Sequence, residues 1–323
     1  MTSSTVRRRL RRSVLLLAAT LAAALTQTAC TSAEKPLGPG RFWQSWSFDP
    51  GVVIGLLLTA LLYARGIHLN RRGHDFNWKS RWPVICFAAG EVTLALALIS
   101  PLHAVGEALF SAHMIQHEVL MLIVAPLLVL GRPLGPFLRG LPKDPRQEIH
   151  RFARTSFARK LWRFLTAPAI AFVIHGIAIW VWHAPPLFQG AVTNGFIHAA
   201  QHLAFLVTAI LFWWALLYGH RGRGGYGAAA VYLFLTAVHT SILGAFLTFS
   251  PHPWYPIYGL TTGVWNLSPL EDQQLGGLIM WVPGGVVYVV AGLVLFGLWI
   301  AESARRLETS PTLSSGFFGR SQS

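Results

Sequence analysis

The chain has 323 residues, of which 53% are hydrophobic and only 12% charged, with a formal net charge of +14. An ordinary soluble domain carries roughly 25% charged residues, so a soluble fold is excluded and an integral membrane protein is expected. The two cysteines, Cys30 and Cys86, form neither a disulfide framework nor a Cys-x-x-Cys metal pair.

The chain opens with "TVRRRLRRSVLLLAATLAAALTQTAC", a basic stretch, an apolar stretch and small residues before Cys30, which is the secretory-signal pattern. Residues 1–30 are therefore expected to be a signal peptide, or an uncleaved N-terminal anchor, and residues 31–50 an extracytoplasmic linker. Seven apolar runs follow: Val52 to His68, Trp82 to Ser100, Ala108 to Leu130, Thr166 to Trp182, Phe196 to Leu217, Ala228 to Phe249 and Gly276 to Ile300. Each is close to the roughly 20 residues that cross a bilayer as a helix. The expected fold is all-α, a polytopic seven-transmembrane-helix bundle over residues 51–301, with a small, polar, disordered cytoplasmic tail over 302–323.

Distribution of charge sets the orientation. Arg65, Arg71, Arg72, Lys79 and Arg81 follow the first span, and Arg132, Arg139, Lys143, Arg146, Arg151, Arg154, Arg159, Lys160 and Arg163 follow the third. Arg221 and Arg223 follow the fifth span, and Arg305 and Arg306 the seventh, whereas the intervening loops 101–107, 183–195 and 250–274 hold no Lys or Arg. Such alternation is the positive-inside rule. It puts the mature N-terminus outside a bacterial cell membrane and the C-terminus in the cytoplasm. Bases spread in this way, rather than gathered on one face with stacking aromatics, exclude a nucleic-acid partner and leave membrane lipid as the surrounding medium. The segment between spans three and four is expected to lay a basic amphipathic stretch on the anionic inner leaflet.

With that orientation, the histidines gather on the outer side. His113 and His117 lie in the first two turns of span three, His198 and His202 at the matching depth of span five, and His183 ends span four at the same surface. Both "HMIQH" and "HAAQH" space two imidazoles four residues apart, on one helix face with Cβ atoms roughly 5–6 Å apart. Met121 continues the His113 and His117 stripe; His175, Ile179 and His183 repeat the spacing in span four, and Asp272, Gly276 and Met280 in span seven. Imidazole with thioether sulfur and no thiolate cage suits copper, above all Cu(I), with zinc the lesser choice. Candidate ligands are His113, His117, His198, His202, His183, Met121, Met280, Asp272 and His239, the last near the middle of span six. The alternative is interhelical hydrogen-bonding scaffolding, worth about 0.6 kcal/mol per bond in membranes. Two depth-matched pairs favour function, because intramembrane ionisable groups are costly. A metalloprotease is excluded, since Met114 or Ala199 stands where His-Glu-x-x-His needs its glutamate. Glu118, about 100° round the helix from His117, should face a different helix, and Glu91 is expected to be structural. Trp180, Trp182, Trp213, Trp214, Trp254, Trp265 and Trp281 are expected as interfacial anchors.

Three stretches, "SPLHAVGEALFSAHMIQHEVLMLIVAPLLVLGRP", "HAAQHLAFLVTAILFWW" and "LEDQQLGGLIMWVPGG", resemble the CtaG family of multi-pass cytochrome c oxidase assembly proteins, the seven-span kind associated with caa3-type oxidases. The resemblance covers roughly Ser47 to Ile300. It implies a role in maturing the oxidase, by delivering copper or holding it during assembly, with oxidase subunits as partners. The family's His-Met-x-x-His falls on His113, Met114 and His117, its second pair on His198 and His202, and its Asp-Gln-Gln on Asp272, Gln273 and Gln274. Glu118 and the single Pro126 depart from the family pattern. A non-enzymatic assembly factor is the leading expectation, and no catalytic residue is nominated. The alternatives are a haem-b electron carrier with His175 and His239 as axial ligands, a di-metal oxygenase, and a copper permease using Met121 and Met280.

Overall fold

The computed structural model describes residues 37–71, 78–219 and 225–308. The expected signal or anchor over 1–30, with Cys30, lies outside them. Within them every regular element is helical, as the apolar runs foretold. The helices are α1 (Pro50–Arg71), α2 (Trp78–Ile99), α3 (Pro101–Ala108), α4 (Phe110–Leu130), α5 (Leu134–Gly140), α6 (Lys143–Ala153), α7 (Ser156–Leu165), α8 (Pro168–Trp182), α9 (Pro185–Thr193), α10 (Gly195–Tyr218), α11 (Gly225–Phe249) and α12 (Pro269–Glu308).

Six of these, α1, α2, α4, α10, α11 and α12, are long and apolar enough to cross a membrane. The seventh expected span is formed only if α7 and α8, bent by 66° at their junction, count as one. Helix α12 continues to Glu308, so the first residues expected in the disordered tail are helical; residues 309–323 lie outside the described ones. Between spans three and four, α7 carries Arg159, Lys160 and Arg163 beside exposed Phe157, Leu161 and Phe164. This is the basic amphipathic segment expected there.

Helix α4 sits at the centre, packed on α2, α10 and α12, with α12 running along α11 and α10 along α8. The core it shares with α8, α10, α11 and α12 includes Met114, Met121, Phe205, Phe212, Leu243 and Met280. Its middle, Val119–Val124, is a π-helical turn. Pro126 offers no N–H, so one carbonyl of the preceding turn must find another donor. That carbonyl is on Met121, and Nε1 of Trp213 donates to it at 2.8 Å. Trp213 is buried, so it satisfies the helix backbone instead of anchoring the interface as expected.

Small residues set the distance between α4 and α12. A Cβ added at Gly276 would run into the Phe110 ring and lie 3.2 Å from Cγ of Met114. Gly276→Ala is therefore expected to cost about 1–3 kcal/mol, the usual penalty of overpacking a filled core, read as a lowered thermal midpoint in detergent. An unchanged midpoint would show that Phe110 can move aside.

Candidate metal centre

Three helix starts place the histidines. Ser100, whose Oγ accepts from the Leu102 N–H at 3.3 Å, and Pro101 start α3, which carries His103. Asn194 Oδ1 accepts from the N–H groups of Phe196 and Ile197 at 2.9 and 3.2 Å, starting α10 so that His198 and His202 occupy its first two turns. Leu109, at the head of α4, has no side chain able to cap. The cap comes from α12: Asp272 accepts from the N–H groups of Phe110 (2.6 Å) and Ser111 (3.1 Å) and from the Ser111 hydroxyl.

These helix starts converge. The His198 and His202 Nε2 atoms are 3.1 Å apart. His113 and His117 ring centroids are 4.3 Å apart, His117 and His202 5.3 Å, and His113 and His198 5.1 Å. Two overlapping groups bring ligand atoms within 4.8 Å of one another: His113, His117 and His202, all buried, and His103, His198 and His202, of which only His103 is partly exposed.

The surroundings constrain the ring nitrogens. Nδ1 of His113 lies 3.2 Å from the Gly106 carbonyl and Nε2 3.3 Å from Oε1 of Gln201, so both face acceptors and a neutral imidazole can donate to only one of them. At His183 Nδ1 lies 2.7 Å from the Ile179 carbonyl, which can only accept, so the proton sits there and Nε2 keeps a lone pair 3.4 Å from the Met114 sulfur. His117 is 1% exposed and neither ring nitrogen has a hydrogen-bonding partner. Buried polar atoms are almost always paired, so His117 is the member of the cluster whose ligating capacity is unused. Burial pushes the His103 imidazole below its usual value, against an opposing pull from Asp49, and pushes the neighbouring Glu107 carboxyl up. Nε2 of His103 lies 4.0 Å from the Glu107 carboxylate at the cluster's mouth. At Tyr258, burial and then the charges of Asp272, Tyr255 and Glu107 raise the phenol; it stays protonated and donates to the Gly106 carbonyl at 3.2 Å.

A family model for the cytochrome c oxidase caa3 assembly factor (Caa3_CtaG) matches residues 61–302, a stretch that contains every histidine of the cluster. The chain belongs to this family. Among curated proteins it is similar to uncharacterized proteins of Mycobacterium bovis and Mycobacterium tuberculosis, each 30% identical over 284 residues, and to one of Mycobacterium leprae, 26% identical over 288. Each match takes in 84% of this chain and 42% of the relative, so the chain spans less than half the length of those relatives. No solved structure matches it.

Not every candidate ligand of this caa3 assembly factor family member joins the cluster. Asp272 has both carboxylate oxygens engaged at the start of α4, a capping role in place of the ligand role expected. Met121 and Met280 lie in the apolar core, and the thioether beside a histidine is that of Met114. His183 stands at the inner edge, 6.0 Å between ring centroids from His117. His239 is packed near Phe172 and Gly176 with both ring nitrogens unpartnered, and His175 pairs through Nδ1 with Thr208 at 3.0 Å; neither is in the cluster. Glu118 faces α12, where a Cβ on Gly284 would meet its carboxylate at 2.9 Å. Glu91, in α2, keeps one carboxylate oxygen, Oε2, buried without a hydrogen-bonding partner. His103 was not a candidate ligand from the sequence, because a lone histidine in an outer loop has no spacing to mark it.

Proposed function

We infer that this protein is an assembly factor of cytochrome c oxidase, resident in the bacterial cell membrane, that holds copper between His113, His117, His198 and His202 while the oxidase acquires its copper centre. One observation carries the metal reading. His117 is buried among histidines with both nitrogens unpaired, a cost that an ion bound to one of them would reduce. Neighbouring His183 and the Met114 thioether favour Cu(I), a soft ion, over zinc. Family membership supports the oxidase as partner, and the Lys- and Arg-free loops beside the cluster support an outer-face site.

The test is copper per chain by mass spectrometry, wild type beside a variant with His113, His117, His198 and His202 all changed to Ala. Loss of about one copper, at the imidazole-ligand count typical of such sites, with helical content kept, is the expected result. Equal copper in both, or none in either, would leave the histidines as interhelical scaffolding. In cells, deletion of the protein should lower oxidase activity together with oxidase copper; a fully metallated oxidase would overturn the assembly role.

A further inference from the structure

The two histidine groups share one member, and they differ in access. His103, His198 and His202 form a group with one partly exposed edge; His113, His117 and His202 form a group that is wholly buried. We propose that they are two stations for a single Cu(I) ion, an outer loading station and an inner retaining station, with His202 as the common ligand that carries the ion between them. The proposal rests on the copper reading above and adds the route by which the ion moves.

The sharing follows from geometry. The His103 ring stacks on His198 at 5.1 Å and 20°, and His198 presents Nε2 to Nε2 of His202 at 3.1 Å. His202 also faces His117 at 5.3 Å between ring centroids. Each residue offers one ligand atom to the groups, and one lone pair binds one ion, so the stations are alternatives. An ion can pass between them by exchanging His103 and His198 for His113 and His117 while its bond to His202 persists.

The direction follows from what each station gives up. Nδ1 of His103 accepts a hydrogen bond from Nε2 of Gln116 at 3.1 Å, a group that also donates to the Ala97 carbonyl at 2.7 Å. An ion at the outer station competes with the bond to His103. At the inner station His113 has Nε2 3.3 Å from Oε1 of Gln201, but His117 has no bond to lose, and an ion satisfies a nitrogen that burial has left unpaired. The outer station is thus the weaker and more accessible one, and the inner the tighter and slower one. His183 and Met114 adjoin the inner station, where the thioether adds a soft donor beside the three imidazoles.

The test uses the full chain in detergent, loaded with Cu(I), and follows removal of copper by a water-soluble Cu(I) chelator. His103→Ala is expected to retain one copper per chain and to release it more slowly by about tenfold, the lower end of what removing a supporting group does at metal sites. His202→Ala is expected to retain none. Release from His103→Ala at the wild-type rate would overturn the two-station route while leaving the copper site standing. Loss of all copper from that variant would do so too, by making His103 a ligand of the resting site. Two coppers per wild-type chain under excess Cu(I) would overturn the shared ligand. A wild-type chain that binds no Cu(I) would instead remove the reading on which the route rests.

Discussion

Changing His117 to Leu is expected to abolish copper retention and at the same time to raise the stability of the metal-free protein. A buried polar group without a partner costs about 1–3 kcal/mol, and His117 carries two such atoms against the Phe205 ring at 4.6 Å. Leu has similar bulk and nothing to satisfy, so the metal-free variant should unfold later on heating in detergent with a Cu(I) chelator present. Copper affinity should fall by more than the roughly 10–100-fold that loss of a supporting group already costs. Opposite signs for stability and binding are the mark of a residue kept for its ligand. A variant less stable than wild type would instead give His117 a packing role that an ion does not explain.

Asp272→Ala is expected to unseat the start of α4. Its carboxylate is fully buried and accepts bonds from two backbone N–H groups and a hydroxyl at the start of α4. Hydrogen bonds to charged groups contribute about 1.5–3 kcal/mol each, so removing the side chain should cost about 3 kcal/mol or more, and the first turn of α4, which carries His113, should loosen. Asp272→Asn keeps one acceptor oxygen and should lose about half as much. Copper per folded chain separates a cap from a ligand: the Asn variant should hold the wild-type amount, whereas loss of copper from a well-folded Asn variant would return Asp272 to the ligand set.

Spans and histidine pairs were legible because both are periodic: apolar length marks a crossing, and a four-residue spacing marks a helix face. What joins different helices was not. His103 lies in a short helix that begins at a Ser-Pro step, and only the fold carries it over His198. Extending the His113 and His117 stripe to Met121 assumed one uninterrupted α-helix. The π turn at Val119–Val124 breaks that register, while Met114, immediately after His113, faces His183 through the tertiary packing. The stripe from Asp272 through Gly276 to Met280 did mark one face of α12, and that face meets α4. Its residues serve as cap, close contact and core, since spacing identifies which side chains lie together without fixing what each touches. Pro126 was visible as a departure, but the partner of the carbonyl it displaces, Trp213, sits on another helix.

The brevity of α8 has a consequence for the lipid around it. Its 15 residues rise about 22 Å, against a hydrocarbon layer of about 30 Å. Helix α7, set at 66° to α8, with Phe157, Leu161 and Phe164 facing outward and Arg159, Lys160 and Arg163 interspersed, supplies a sloping collar where the missing length would be. Acyl chains meeting this flank must shorten or tilt, at a cost of fractions of a kcal/mol per Å of mismatch. Where α8 crosses on its own, the bilayer is expected to thin along that flank, and the bases of α7 would draw anionic headgroups to it.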